Sequence, residues 1–317
     1  MAALATPVHL VLRPAPDQTP LGSQLEDLVI RIAKAAEGAV TVRRDEGATL
    51  PALPGLTLAS GDRQPITYLA SPEGHQAAPF VEALLELPRC ATKPADARGP
   101  LANLAEPVEL LVFVASGCPH CPHAVRAANR LALESPLVTT TIVDAQWFPK
   151  LAERYAVRSV PVTLVDRGLT ILEVLPPQAL AKRILSRSEL GYGIEVFRSL
   201  VEAGRHADAA ARIIEGSGGE AFVAVWKGTT TFERVPLLIV AEEVLDADPT
   251  ALDDLVPDLL PVLGAPDGAL RGDTADLLGQ IGHSAAAPAL EALLSDPNPD
   301  VAEVAADALE AISERSQ

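Results

Sequence analysis

The chain has 317 residues, of which 48% are hydrophobic and only 3% aromatic. That length allows two or three domains, with cores built from Leu, Val, Ile and Ala. The net charge of −17 is unevenly placed: residues 188–317 hold 24 Asp+Glu against 7 Lys+Arg, a net of −17, while residues 1–187 hold 18 of each. Such acidity argues against nucleic-acid binding and marks a boundary near residue 188. The N-terminal "MAALATPVHLVLRP" lacks a basic n-region and is interrupted by Pro7, His9 and Arg13, so it reads as neither a signal peptide nor a membrane span. A cytoplasmic chain is the expectation.

In residues 1–90, "VHLVL" (8–12) predicts a strand and "LGSQLEDLVIRIAKAAEG" (21–38) an amphipathic helix ended by Gly38. "AVTVRR" (39–44) predicts a second strand. "GLTLAS" and "PITYLAS" predict a hairpin around Gly61-Asp62, and "GHQAAPFVEALLEL" (74–87) a closing helix. Residues 91–107, with Pro94, Gly99, Pro100 and Pro107, read as a linker.

Residues 108–187 repeat that order. "VELLVFV" (108–114) predicts a strand buried on both faces. A helix over 122–134 and a strand over 137–145 follow. "VPVTLVD" and "LTILEVL" form a hairpin around Arg167-Gly168, and "PQALAKRIL" (177–185) is the last helix. The two segments read as a duplicated unit.

Residues 188–317 show no strand pattern. "PDLLPVLGAPDGALRGDTADLLGQIG" from Pro257 aligns without gaps with "PALEALLSDPNPDVAEVAADALEAIS" from Pro288, at an offset of 31. Leu259 matches Leu290, Leu263 matches Leu294, Pro266 matches Pro297 and Ile281 matches Ile312. Each unit is a helix, an Asp/Asn-Pro turn and a second helix, and such units must stack to bury their apolar faces. Residues 235–249 read as the second helix of an earlier, degenerate unit, and 190–216 as at least two more helical stretches.

Two of the three cysteines lie in "VFVASGCPHCPHAV" (112–125). Cys118 and Cys121 can be a redox pair, half of a metal site, or packing residues. Structural zinc needs four ligands, and no second C-x-x-C is present; His120 and His123 are near, but His120 would have to fold back. Haem attachment needs His after the second cysteine, and residue 122 is Pro. Redox chemistry needs an exposed thiolate with a second thiol in reach. A strand–loop–helix arrangement supplies this, with Cys118 at the helix N-terminus, where the dipole favours negative charge, and Cys121 one turn deeper.

A strand, C-x-x-C at a helix start and a later Val160-Pro161 opening a hairpin resemble the thioredoxin fold. The resemblance implies that Pro161 is the family's cis-proline and that the Val160 backbone pairs with a bound substrate strand. The duplication is similar to tandem-thioredoxin proteins, namely glutaredoxin-like protein disulfide oxidoreductases and the N-terminal domain of the alkyl hydroperoxide reductase F subunit. "ASPEGHQAAPFVEALLEL" (70–87) looks like the close of that domain's first unit, which, like "RPAPDQTP" (13–20) here, lacks the cysteine pair. The chain departs from these families in three ways. No flavin or nucleotide domain follows. Val112 stands where thioredoxins carry a buried acid. Gln76 stands where the reductase-like family carries an assisting acid. Pro119-His120 matches the dipeptide of oxidising periplasmic thiol oxidases, which implies that His120 favours the Cys118 thiolate. The 31-residue units resemble HEAT repeats.

The expected fold is therefore two tandem thioredoxin folds (1–90 and 108–187) followed by a HEAT-like α-solenoid (188–317). The expected activity is thiol–disulfide exchange with protein substrates by Cys118 and Cys121, assisted by Pro119 and His120, with Val160 and Pro161 binding substrate. No cofactor or metal is expected. A separate protein is expected to donate or accept electrons, and the helical repeats to bind partners. The alternative is a scaffold in which the thioredoxin folds are structural. Trp147 and Phe148 read as packing residues, His75 as a helix-start hydrogen bonder, Cys90 as a spectator, and Arg126 and Arg130 as a solvated helix face.

Overall fold

The structure, a computed structural model, describes residues 7–36, 38–45, 50, 52–61, 63–90 and 101–315. Residues 1–6 of the N-terminal stretch, Asp62 of the first hairpin and residues 91–100 of the expected linker lie outside them. The chain divides into two compact units, residues 1–187 and 188–317. Among the described residues, no helix is long and apolar enough to cross a membrane.

The first unit is built on one eight-stranded sheet. Its elements begin with β1 (Val8–Arg13), α1 (Pro20–Ala35), β2 (Val40–Arg44), β3 (Gly55–Ser60), β4 (Arg63–Leu69) and α2 (Ala77–Cys90), the last entered through a 3-10 turn at Gly74–Gln76. They continue with β5 (Val108–Val114), α3 (Cys121–Glu134), β6 (Val138–Asp144), α4 (Pro149–Arg154), β7 (Val162–Val165), β8 (Leu169–Ile171) and α5 (Pro177–Leu185). The strand order is β2-β1-β3-β4-β6-β5-β7-β8. Each run of four strands has its first strand beside its second in parallel and beside its third in antiparallel. β4 and β6 join the two runs in parallel, with Ile66 opposite Thr140 and Leu69 opposite Val143.

The apolar run "VELLVFV" lies between β6 and β7, as a strand buried on both faces should. Leu110, Leu111, Val112, Phe113 and Val114 are each 0% exposed. Each such side chain contributes about 1.5–3 kcal/mol relative to exposure. α4 has no counterpart in the sequence-based expectation, and β8 is shorter than the predicted "LTILEVL", ending at Ile171.

α2 and α3 run side by side in parallel. Arg126 donates to Glu82 at 2.8 Å and Arg130 to Glu86 at 3.0 Å, both pairs 44 residues apart. Arg126 and Arg130 thus tie two helices together rather than forming a purely solvated face. Beneath them, buried Asn129 donates to the Tyr68 hydroxyl at 3.1 Å, and Tyr68 meets Phe80 edge-on at 5.3 Å. Burial raises the Tyr68 pKa.

The second unit is helical throughout its described residues. α6 (Leu190–Glu202), α7 (His206–Ile214), α8 (Gly219–Gly228) and α9 (Thr231–Ala247) precede α10 (Val256–Leu259), which continues into a 3-10 segment to Gly264. α11 (Gly268–Ile281), α12 (Ala287–Leu293) and α13 (Pro299–Arg315) complete it. The 31-residue repeat corresponds to α10 with its 3-10 extension plus α11, and then to α12 plus α13. Asp267 and Asn298, 31 apart, do the same work: each accepts a backbone N–H two residues on, at 3.0 Å, where the second helix begins. Gly279 lets α11 and α13 approach closely, since a Cβ there would lie 2.8 Å from the Ala308 Cα. Gly282, with φ +77, ends α11 in the left-handed region.

Candidate redox site

β5 ends at Val114 and α3 begins at Cys121, so six residues form the loop that carries the cysteine pair. Its first part is pinned. Ser116 Oγ donates to Asp144 Oδ2 at 2.8 Å, and the Gln146 amide donates to Asp144 Oδ1 at 2.9 Å. Asp144 is itself 1% exposed at the end of β6, opposite Val114. Its buried carboxylate is therefore satisfied by the two loops that it joins.

Cys118 and Cys121 form a disulfide with Cα atoms 5.5 Å apart. Cys118 is half-buried and Cys121 is 0% exposed. The Cys121 backbone N–H lies 3.1 Å from Cys118 Sγ, the donor position expected at a helix start. Pro119 and His120 are exposed between them. His120 is the N-cap residue of α3, and its side chain makes no capping hydrogen bond.

Val160 and Pro161 come to the same end of the sheet. Val162 pairs with Phe113, which puts Pro161 level with Val114, where the cysteine loop leaves β5. The Val160–Pro161 bond is cis, as the resemblance implies. Val160 packs against a cluster holding Phe113, Tyr155 and Val162. All six candidate residues therefore belong to one end of the second strand run.

Residues 108–182 match the family model of the thioredoxin domain. Residues 256–317 match that of HEAT repeats. The alkyl hydroperoxide reductase AhpF of Staphylococcus epidermidis is 28% identical over 107 residues, 33% of this chain and 21% of that protein. The chain thus spans about a fifth of that relative's length. The thioredoxin of Methanocaldococcus jannaschii is 27% identical over 81 residues, 25% of this chain and 95% of its own. The N-terminal domain of alkylhydroperoxide reductase AhpF from Enterococcus faecalis superposes with a TM-score of 0.51 at 21% identity, covering 58% of this chain and 93% of that one. The fold is thus a thioredoxin-like α/β domain with a helical C-terminal region containing HEAT repeats, and the cysteine pair lies within the matched thioredoxin segment.

Several residues of interest were not read from the sequence. Asp144 and Ser116 fix the thioredoxin-domain loop; a strand closing on "VDA" was the available signal. Leu53–Pro54 is a second cis bond, immediately before β3 as Val160–Pro161 is immediately before β7. Its signal was the likeness of "LPGLTLAS" to "VPVTLVD". Trp147 is 38% exposed, whereas Phe148 packs as expected. Cys90 is buried and carries a free thiol. Among the described residues, no group of three His, Cys, Asp or Glu side chains is placed to hold a metal ion.

Proposed function

We propose that the chain is a thiol–disulfide oxidoreductase acting on protein disulfides, with Cys118 as nucleophile and Cys121 as resolving thiol. The observation that carries this reading is the unequal exposure of two bonded sulfurs at the head of one helix. In the reduced protein, the Cys118 thiolate attacks a substrate disulfide and one substrate thiolate leaves. The Cys121 thiolate then attacks Cys118 Sγ, releases the second substrate thiolate and forms the Cys118–Cys121 bond. Two electrons pass to the substrate, and a separate thiol-bearing protein restores the dithiol. Pro119 and His120 shape the exposed loop, with the imidazole favouring the thiolate. The Val160 backbone and Pro161 receive the substrate strand.

We read residues 1–90 and 108–187 as two tandem thioredoxin folds, the first without cysteines, joined by a linker over 91–107. The repeated strand order and the 58% coverage, about the share taken by residues 1–187, support this. Residues 188–317 are read as a HEAT-like solenoid that binds a protein partner. The test is insulin reduction with dithiothreitol as the source of electrons. The wild type should turn over, and Cys118→Ser should fall to the uncatalysed rate; equal activity in the two proteins sinks the enzyme reading. A fragment of residues 1–187 should fold and keep the wild-type rate, measured by circular dichroism and the same assay. An unfolded or inactive fragment would make the helical unit part of the catalytic body.

A further inference from the structure

Gln76 is 1% exposed, and neither its Oε1 nor its Nε2 has a hydrogen-bond partner among the described residues. A buried amide left unsatisfied costs about 1–3 kcal/mol per group, so such a side chain calls for an explanation. Its place in the fold supplies one. Glu82 pairs with Arg126 and Glu86 with Arg130, a constant separation of 44 over a full turn of two parallel helices. Carried five residues back from Glu82 and Arg126, the same register sets Ala77, the first residue of α2, level with Cys121, the first residue of α3. The 3-10 turn Gly74–Gln76 runs into α2 without a break and packs against α3. The unsatisfied amide therefore belongs to the layer that holds the buried sulfur. On the strands that flank the cysteine loop, Val112 carries no polar group, and both Asp144 oxygens are taken by Ser116 and Gln146.

We propose that Gln76 is a positioning residue for Cys121, hydrogen-bonding its sulfur only in the reduced protein. In the disulfide, Cys121 Sγ carries no proton and is a poor acceptor. Reduction by two thiol equivalents delivers two electrons and two protons and breaks the S–S bond. Cys121 then presents an S–H to Oε1, or a thiolate to Nε2–H. The amide gains a partner in one redox state alone, so it stabilises the dithiol and makes the pair more oxidising. This inference rests on the proposed redox role of the pair.

The experiment is the equilibrium of the full chain with glutathione and glutathione disulfide, read by thiol alkylation, for the wild type and Gln76→Met, a side chain of similar size. Removing the amide should shift the equilibrium about tenfold toward the Cys118–Cys121 disulfide, which is about 30 mV for a two-electron couple. Thermal unfolding of each variant, oxidised and reduced, gives the second reading. The oxidised form should be as stable as the wild type or more so, and the reduced form should gain less. A merely structural Gln76 would change both forms alike and leave the equilibrium within twofold, which overturns the inference and leaves the function standing. A wild-type pair that fails to exchange with glutathione overturns both. Should Gln76→Met not fold, Gln76→Leu carries the same comparison.

Discussion

Cys121→Ser is expected to accumulate covalent complexes with protein substrates, and Cys118→Ser is not. Disulfide exchange requires a sulfur that is both accessible and ionised. Cys118 is half-buried and receives the first turn of α3, with the Cys121 N–H 3.1 Å from its sulfur. A hydrogen bond from that N–H to a thiolate contributes about 1.5–3 kcal/mol, and the helix N-terminus adds about 0.3–1 kcal/mol. Cys121 is 0% exposed and lies inside the helix, so a substrate sulfur cannot reach it. Without Cys121, the mixed disulfide on Cys118 has no internal thiolate to displace it. The complexes should appear on a non-reducing gel and vanish with dithiothreitol, and mass spectrometry of the trapped proteins would name the substrates. Both variants should lose nearly all insulin reductase activity, so activity alone does not separate the two roles; the gel does. Trapping by Cys118→Ser instead would invert the assignment.

The parts of this site that were legible in the sequence are those set by local chemistry. C-x-x-C after an apolar strand and Val-Pro before a hairpin are each a few residues long, and they meet because β5 lies between β6 and β7. What escaped reading depends on tertiary context. α4 has six residues, too few to show helical periodicity, and it is held by Ala152 and the following Tyr155 packing into the Phe113 cluster. The second hairpin was expected around Arg167-Gly168, yet Asp166 and Arg167 are its residues at positive φ, 49° and 57°. A residue at the start of β5 holds them there: Asp166 accepts from the Glu109 N–H at 2.9 Å, and Arg167 pairs with the Glu109 carboxylate. Gln76 could be singled out in the sequence as a departure from an acid, but its burial without a partner follows only from the packing of α2 on α3.

The helical unit was half legible for a related reason. Its two regular repeats align without gaps, whereas α9 falls out of phase: Arg234 precedes Arg271 by 37 residues, not 31. The two arginines nonetheless act alike. Arg271 grips Asp296 with two hydrogen bonds of 2.8 Å and donates to the Ala265 carbonyl at 2.8 Å. Arg234 donates to Asp273 and to the Thr229 carbonyl, both at 2.6 Å. Each ties its own helix to a residue further along the array, a charge pairing that hydrophobic periodicity does not reveal.

Asp273→Ala is therefore expected to destabilise the helical unit by about 3 kcal/mol, because it takes away the carboxylate 2.6 Å from the Arg234 guanidinium, which is only 1% exposed. That loss should lower the unit's thermal transition by roughly 10 °C, seen by calorimetry or by hydrogen exchange across α9 and α11. Asp267 is a control on the same arginine. It lies 3.8 Å away and is 58% exposed, so its charge adds little, and Asp267→Ala should cost only about 1 kcal/mol, chiefly through the lost cap on the Ala269 N–H. The double change Arg234→Met with Asp273→Leu removes both charges together and should recover most of the stability lost in Asp273→Ala, since a buried pair costs desolvation that an apolar pair does not. Insulin reduction by Cys118 and Cys121 should stay at the wild-type rate in all three proteins below the transition. If Asp273→Ala and Asp267→Ala melt together, the buried guanidinium is held by its carbonyl contacts and not by Asp273.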